Sequence, residues 1–90
     1  MKKAEYKIPD GKLVATEFDL IEDKLTNVKI YGDFFMHPEE SINDLERALN
    51  LSPKSKVEKR VRTFFKDNEV ILVGISPEDF VRVITLALEN

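Results

Sequence analysis

Lys12 follows Gly11 in the segment PDGK, a combination that could bind phosphate. A lysine beside a glycine is typical of loops that bind phosphate. The complete phosphate-loop pattern is absent, however, and Lys12 leads into a strand pattern rather than a helix. The spacing therefore predicts a hairpin turn. Because Lys12 projects from a tight turn, it is also suitably placed to meet an anion that a partner supplies.

The segment around His37, the only histidine of the chain, could supply acid–base or metal chemistry. Asp33, Glu39 and Glu40 are its acidic neighbours, but the chain has no cysteine and no second histidine to complete a metal set. The simpler interpretation is that Asp33 accepts hydrogen bonds from loop amides and that both glutamates stabilise a helix N-terminus. We therefore predict no metal site and a structural or interface role for His37.

The segment KSKVEKRVRTFFK is a third candidate site, because a basic helix face can recruit nucleic acid or an acidic protein. Its basic residues are Lys54, Lys56, Lys59, Arg60, Arg62 and Lys66. The formal net charge of −3 argues against nucleic acid, and the apolar residues of the segment have the spacing of a core stripe. A solvated face is the first interpretation, and an acidic protein partner is the second.

Size and composition argue against a self-sufficient enzyme. The 90 residues form one small domain, spanning residues 1–90, which is too small to enclose a deep pocket of its own. No Ser-His-Asp or Cys-His arrangement can be assembled. No stretch approaches the ~18–20 apolar residues of a membrane span, and the polar start is not that of a signal peptide. We expect a soluble cytoplasmic protein with no nucleic-acid or membrane partner.

Three predicted strands position the candidate residues in the first half of the chain. The segments AEYKI, KLVATEFDLI and NVKIYGDFF alternate between apolar and polar residues, and the short turns PDGK and EDKLTN connect them. Three successive strands with short connections predict an antiparallel meander. In the third strand, Val28, Ile30, Gly32 and Phe34 should share one face.

Three helix patterns and one further strand follow. Pro38 is expected at the first helical position of the first helix, and Ser55 with Glu58 has the spacing of a capping box for the second. The apolar run EVILVGI predicts a buried strand, and Ser76 is expected to cap the last helix. The order β-β-β-α-α-β-α predicts an α+β fold. Its mostly antiparallel sheet would contain the meander plus one later strand, with helices packed on one face.

The adjacent residues Phe34 and Phe35 raise the question of a second apolar surface. In a strand they face opposite sides, so one core can easily bury only one of them. We predict that Phe34 packs inward, whereas Phe35 and Met36 form part of an outer surface. The alternative is that helices of the same chain cover Phe35.

The segments KIPDGKLVATEFDL, LTNVKIYGDFFMHPEESINDLERAL and ILVGISPEDFVRVITLAL together resemble the accessory domain of lipoate–protein ligases, over nearly the whole chain. The most specific elements are Gly11-Lys12-Leu13, Gly32-Asp33-Phe34-Phe35 and Pro38-Glu39-Glu40. One departure is Asp10, where relatives often carry glycine. In many bacteria this domain is the C-terminal part of the ligase. In some archaea it resembles a separate small subunit that pairs with a larger catalytic one.

The resemblance implies a function. Such a ligase uses ATP, with Mg, to convert lipoate into lipoyl-AMP and pyrophosphate, and then transfers the lipoyl group to a lysine of an acceptor protein. The large chain carries the lipoate pocket, and the accessory domain is needed for the adenylation step. On this resemblance we expect a ligase subunit that is inactive alone and binds no cofactor of its own. It would form a heterodimer with the large catalytic subunit, and the complex would act on a lipoyl-acceptor protein.

The resemblance also implies site residues. Lys12 and Gly11 would lie near the ATP phosphates when the two chains close, and a cation there would favour the charge that develops as pyrophosphate leaves. A glycine in the third strand would let another backbone or a ligand come close. The expected contacts with the catalytic subunit are Gly32, Asp33, Phe35, Met36, His37, Pro38 and Glu39.

A second class of function is a non-catalytic protein-binding module of the same fold. Such a module would recognise a carrier domain or another protein through the basic helix.

Overall fold

Strands β1 (Lys2–Lys7), β2 (Leu13–Ile21) and β3 (Lys24–Gly32) form the predicted antiparallel meander in the computed structural model, which describes residues 1–90. β2 is the central strand and pairs with β1 from Lys2↔Phe18 to Lys7↔Leu13. The turn between β2 and β3 contains two residues with positive φ, as expected for a tight hairpin connection. The meander forms as predicted, but the predicted bounds of its third strand were wrong. β3 begins at Lys24, within the segment predicted as a turn, and ends at Gly32, three residues before the predicted end.

Helices α1 (Ser41–Leu49), α2 (Val57–Asp67) and α3 (Pro77–Glu89) cover the meander. α3 contacts β1 and β2, and α1 contacts β3, whereas α2 packs against the other two helices. Each helix turns apolar residues inward, and one core contains the fully buried side chains of Phe18, Leu45, Val61 and Phe80. The α+β class, the antiparallel strands and the order of helices are thus as predicted.

The remaining strands differ in detail from the prediction. A short strand β4 (Phe35–His37) follows β3, and the later strand β5 (Ile71–Val73) pairs with β4 in a separate two-stranded antiparallel sheet. The EVILVGI run forms a strand as predicted, but the prediction that this strand is buried was wrong, because Ile71 and Val73 are exposed. This two-stranded ribbon, β4–β5, is the structural feature on which the candidate site depends.

Two predicted helix starts were also wrong. Pro38 and the two glutamates after it lie in a turn before α1, in which the Ser41 N–H donates to the Pro38 carbonyl at 3.0 Å. Ser55 does not cap α2, because residues Lys54–Lys56 form a 3₁₀ turn and α2 begins at Val57. The start of α3 is confirmed, since the Ser76 N–H donates to the Asp79 carboxylate at 2.9 Å. The helices are all too short or too polar to cross a bilayer.

Candidate functional site

The turn between β1 and β2 holds Lys12 in a defined backbone conformation. The Ile8 N–H donates to the Lys12 carbonyl at 2.7 Å, and the Gly11 N–H donates to the Ile8 carbonyl at 3.1 Å. Asp10 and Gly11 have φ values of 83° and 97°, which is the conformation that glycine adopts most readily. The predicted hairpin turn is confirmed. Because the Gly11 amide is already bonded within the turn, it is not free to bind a phosphate.

Asp33 ties this turn to the end of β3. The Leu13 N–H donates to the Asp33 carboxylate at 2.5 Å, and the Asp33 N–H donates to the Leu13 carbonyl at 3.2 Å. These reciprocal bonds connect residues that are 20 positions apart in the sequence. The prediction that Asp33 accepts a hydrogen bond from a loop amide is confirmed. A hydrogen bond to a charged carboxylate is stronger than one between neutral groups, so the residue after Lys12 is firmly held.

Gly32 allows the close approach of the same two segments. A Cβ atom at Gly32 would lie 2.2 Å from the Leu13 carbonyl oxygen and 2.9 Å from the ring of Phe34. The predicted close approach therefore occurs, but the backbone that approaches belongs to this chain. Contacts within the chain are sufficient to require glycine here, so no partner or ligand is needed to explain it.

The side chain of Lys12 crosses the backbone at Gly74, the residue that follows β5. A Cβ atom at Gly74 would lie 3.1 Å from Cγ and 3.2 Å from Cε of Lys12. Gly74 has a φ of 81°. Lys12 is half-buried by this contact, yet no carboxylate lies within salt-bridge distance of its ammonium group. The turn and the Asp33 bonds hold the backbone around Lys12, and its stem lies against Gly74, so the ammonium group without a carboxylate partner extends from a defined position.

The ribbon presents an apolar outer face beside this lysine. Phe35 pairs directly with Val73, and His37 pairs with Ile71, so the side chains of each pair stand on the same side of the ribbon. Phe35, Val73 and Ile71 are 68%, 55% and 62% exposed, and His37 is exposed as well. We refer to Phe35, His37, Ile71 and Val73 as the ribbon face.

The prediction for Phe34 and Phe35 is confirmed, and that for Met36 was wrong. Phe34 points inward and meets the Phe80 ring edge-on, with ring centroids 5.5 Å apart. Met36 is only 6% exposed and belongs to the core. Strand alternation explains the difference, because residues two positions apart share a face and Met36 therefore follows Phe34 inward. Met36 cannot contribute to an outer surface.

Lys12 lies beside one end of the ribbon. Lys12 contacts Gly74, which directly follows Val73, and Val73 pairs with Phe35. His37, Pro38 and Glu39, which were also predicted to contact a partner, are exposed at the other end of β4. Sequence reasoning missed Ile71, Val73 and Gly74, since a three-residue strand has too little alternation to reveal which of its sides is exposed.

The basic helix α2 is partly neutralised by the chain itself. Arg62 bonds to Glu78 at 3.0 Å and to Glu58 at 3.1 Å, and Lys54 lies 3.5 Å from Asp23. The hydrogen bond from Arg62 is the main cause that lowers the pKa of Glu78. These ion pairs agree with the interpretation of α2 as a solvated face.

Part of the basic face nevertheless borders an open groove. The groove has a volume of about 480 Å³, and Lys56, Lys59 and Arg60 line it together with apolar residues. The Arg60 guanidinium donates to the Ala48 carbonyl near the end of α1 at 3.3 Å. No group of three His, Cys, Asp or Glu side chains comes close enough to hold a metal ion.

Fold and site together define a small α+β domain whose candidate site is an outer surface, made of one fixed lysine and an apolar ribbon face. Comparison with known proteins then identifies the family. The model of the bacterial lipoate protein ligase C-terminus matches residues 3–84, and the chain belongs to this family.

The chain is also similar to individual archaeal proteins. It is 39% identical over 84 residues to lipoate-protein ligase A subunit 2 of Thermoplasma acidophilum, a match that covers 93% of this chain and 87% of that protein. Its structure resembles a chain from the structural analysis of an archaeal lipoylation system, a bi-partite lipoate protein ligase and its E2 lipoyl domain from T. acidophilum. That match has a TM-score of 0.85 and 35% identity, and it covers 93% of this chain and 94% of the other.

Proposed function

We propose that this chain is the small subunit of a bipartite lipoate–protein ligase and that it completes the activation of lipoate by ATP on a larger catalytic chain. Its similarity to a ligase subunit along nearly the whole length supports this function. The observation that carries the proposal is Lys12, an unpaired cation that is fixed in place at the edge of an exposed apolar face.

Lys12 would act on the charge that moves during activation. A lipoate carboxylate oxygen forms a bond to the α-phosphorus of ATP, and the bond from that phosphorus to the bridging oxygen of the β-phosphate breaks. The products are lipoyl-AMP and pyrophosphate, and negative charge accumulates on the departing pyrophosphate. A fixed cation near that group stabilises the transition state more than the ground state, which accelerates the chemical step. The Mg that accompanies ATP would share this role from the catalytic chain's side.

The ribbon face would dock on the catalytic chain. Phe35, Ile71 and Val73 are large apolar side chains that stand together and are more than half exposed. Removing such a side chain from water contributes roughly 1.5–3 kcal/mol when burial is complete. Docking through this face would bring Lys12 to the edge of the interface, because Lys12 contacts Gly74 next to Val73. The chain alone would then be inactive, since the lipoate pocket belongs to its partner.

Reconstitution of the two purified chains tests this function. Lipoate-dependent release of pyrophosphate from ATP should be slow with the catalytic chain alone, absent with this chain alone and fast with both. Full activity of the catalytic chain alone, unchanged when this chain is added, would refute the proposal.

A protein-binding module that acts through α2 is the second candidate function, and the groove beside Lys56, Lys59 and Arg60 favours it. In that case Lys59→Glu should abolish binding to an acidic carrier domain, and the ligase should be active without this chain. If the Lys59→Glu variant instead binds the carrier domain as tightly as the unmodified chain, the groove has no part in the function.

A further inference from the structure

The position of the Lys12 ammonium depends on a residue far away in the sequence. The four hydrogen bonds that hold the backbone around Lys12 lie within the first 33 residues, but the methylene stem of the lysine rests on Gly74. The Cγ and Cε atoms would be 3.1 Å and 3.2 Å from any Cβ atom at that position. Any side chain at residue 74 would therefore force the stem to move by a few tenths of an ångström.

We infer that Gly74 is a positioning residue for the activation step. Because Gly74 has no side chain, the stem of Lys12 can lie flat against its backbone, and in this position the Lys12 ammonium group points at the polyphosphate of the nucleotide. This inference rests on the proposed function. It adds to that function a residue that never touches the substrate and that acts only through Lys12. The loop between β5 and α3 thereby becomes part of the site, although it carries no chemically reactive side chain of its own.

A purely conformational role for Gly74 is the competing explanation. Its φ of 81° is in the left-handed region, where any residue with a Cβ atom is strained. The chain contains a matched control for this strain. Gly11 has a φ of 97° and also lies beside Lys12 in the sequence, but a Cβ atom at Gly11 would meet no atom within 4 Å. Alanine at either position costs backbone strain, whereas only alanine at residue 74 displaces the lysine stem.

The test compares Gly74→Ala and Gly11→Ala in the reconstituted heterodimer, each with Lys12 present and with Lys12→Ala. The kcat of lipoate-dependent pyrophosphate release should fall by about 3- to 10-fold in Gly74→Ala, since small misplacements of a catalytic group have large effects on rate. Gly11→Ala adds backbone strain but no contact with the lysine stem, so its loss of activity should be smaller than that of Gly74→Ala. In the Lys12→Ala background, Gly74→Ala should cause no further loss, because the group that it displaces is gone.

Two results would separate the possible failures. If Lys12→Ala alone leaves pyrophosphate release unchanged, the proposed role of Lys12 is refuted and the inference is refuted with it. If Lys12→Ala is impaired but Gly74→Ala behaves like Gly11→Ala, or loses the same factor in both backgrounds, only the positioning role of Gly74 is refuted. Should the alanine variants fold poorly, Gly74→Asn and Gly11→Asn replace them, because asparagine tolerates positive φ and still adds a Cβ atom.

Discussion

Replacing Phe35 with alanine tests whether the ribbon face is the docking surface. A buried phenylalanine side chain removes about 200 Å² from water, and Phe35 is 68% exposed in the isolated chain. Burial of that exposed part, about 140 Å² at about 25 cal/mol per Å², would contribute about 3.5 kcal/mol to association. This value corresponds to a weakening of the heterodimer by about 300-fold in Phe35→Ala, which is an upper limit if the docked ring keeps some exposure.

A matched control lies at the other end of the molecule. Ile21 is the last residue of β2 and is 60% exposed. Leu13, the first residue of the same strand, adjoins the site, and a strand of this length places Leu13 and Ile21 about 26 Å apart. Titration calorimetry with the catalytic chain should show the loss of affinity for Phe35→Ala and an unchanged Kd for Ile21→Ala. Thermal unfolding of the free chain should be nearly unaffected by Phe35→Ala. An unchanged Kd for Phe35→Ala would show that the chains meet elsewhere.

Three further predictions concern the core, the close approach at Gly32 and a surface ion pair. Met36→Ala should lower the free energy of unfolding in denaturant titrations by about 2–5 kcal/mol, because Met36 is in the core, and an effect below about 1 kcal/mol would contradict its burial. Gly32→Ala should destabilise the chain by about 3 kcal/mol or more, since its Cβ atom would overlap the Leu13 carbonyl, and a native-like unfolding midpoint would contradict that contact. Arg62→Ala should raise the pKa of Glu78 in a carboxyl NMR titration, because the Arg62 hydrogen bond is the main cause that lowers it. Because the pKa of Glu78 is lowered in the fold, the pairing stabilises the fold at pH values above the ordinary glutamate pKa, and this contribution should disappear as the pH falls through the lowered pKa. An ordinary pKa for Glu78 in the unmodified chain would refute the pairing.

The sequence predicts the parts of this fold that repeat a regular pattern. Strand alternation and helical spacing place the meander and the three apolar stripes, and a tight-turn signal places Lys12. The ribbon was not predictable in the same way, because β4 and β5 have three residues each and pair across more than thirty positions of the chain. The corner before β4 depends on the bonds between Asp33 and Leu13, which no local pattern reveals.

In the candidate site, too, some residues can be predicted from the sequence and others only from the fold. Lys12, Phe35 and Asp33 are recognisable from local sequence, and the structure brings them to one end of the molecule. Val73 and Gly74 are recognisable only from the fold, since their importance comes from the side chains that lie against them. Met36 shows that an apolar cluster in the sequence does not mark a surface unless the strand alternation is followed through it.

The most direct test of the account is the rate of lipoate-dependent pyrophosphate release by the heterodimer when Lys12 is replaced by alanine. We expect kcat to fall by at least about 10-fold with an unchanged heterodimer Kd, because a preorganised positive group would be missing where charge develops. Lys7→Ala, which removes an exposed lysine just before the same turn, should leave the rate unchanged. Equal rates for the unmodified, Lys7→Ala and Lys12→Ala complexes would contradict the central claim that this chain completes the active site with Lys12.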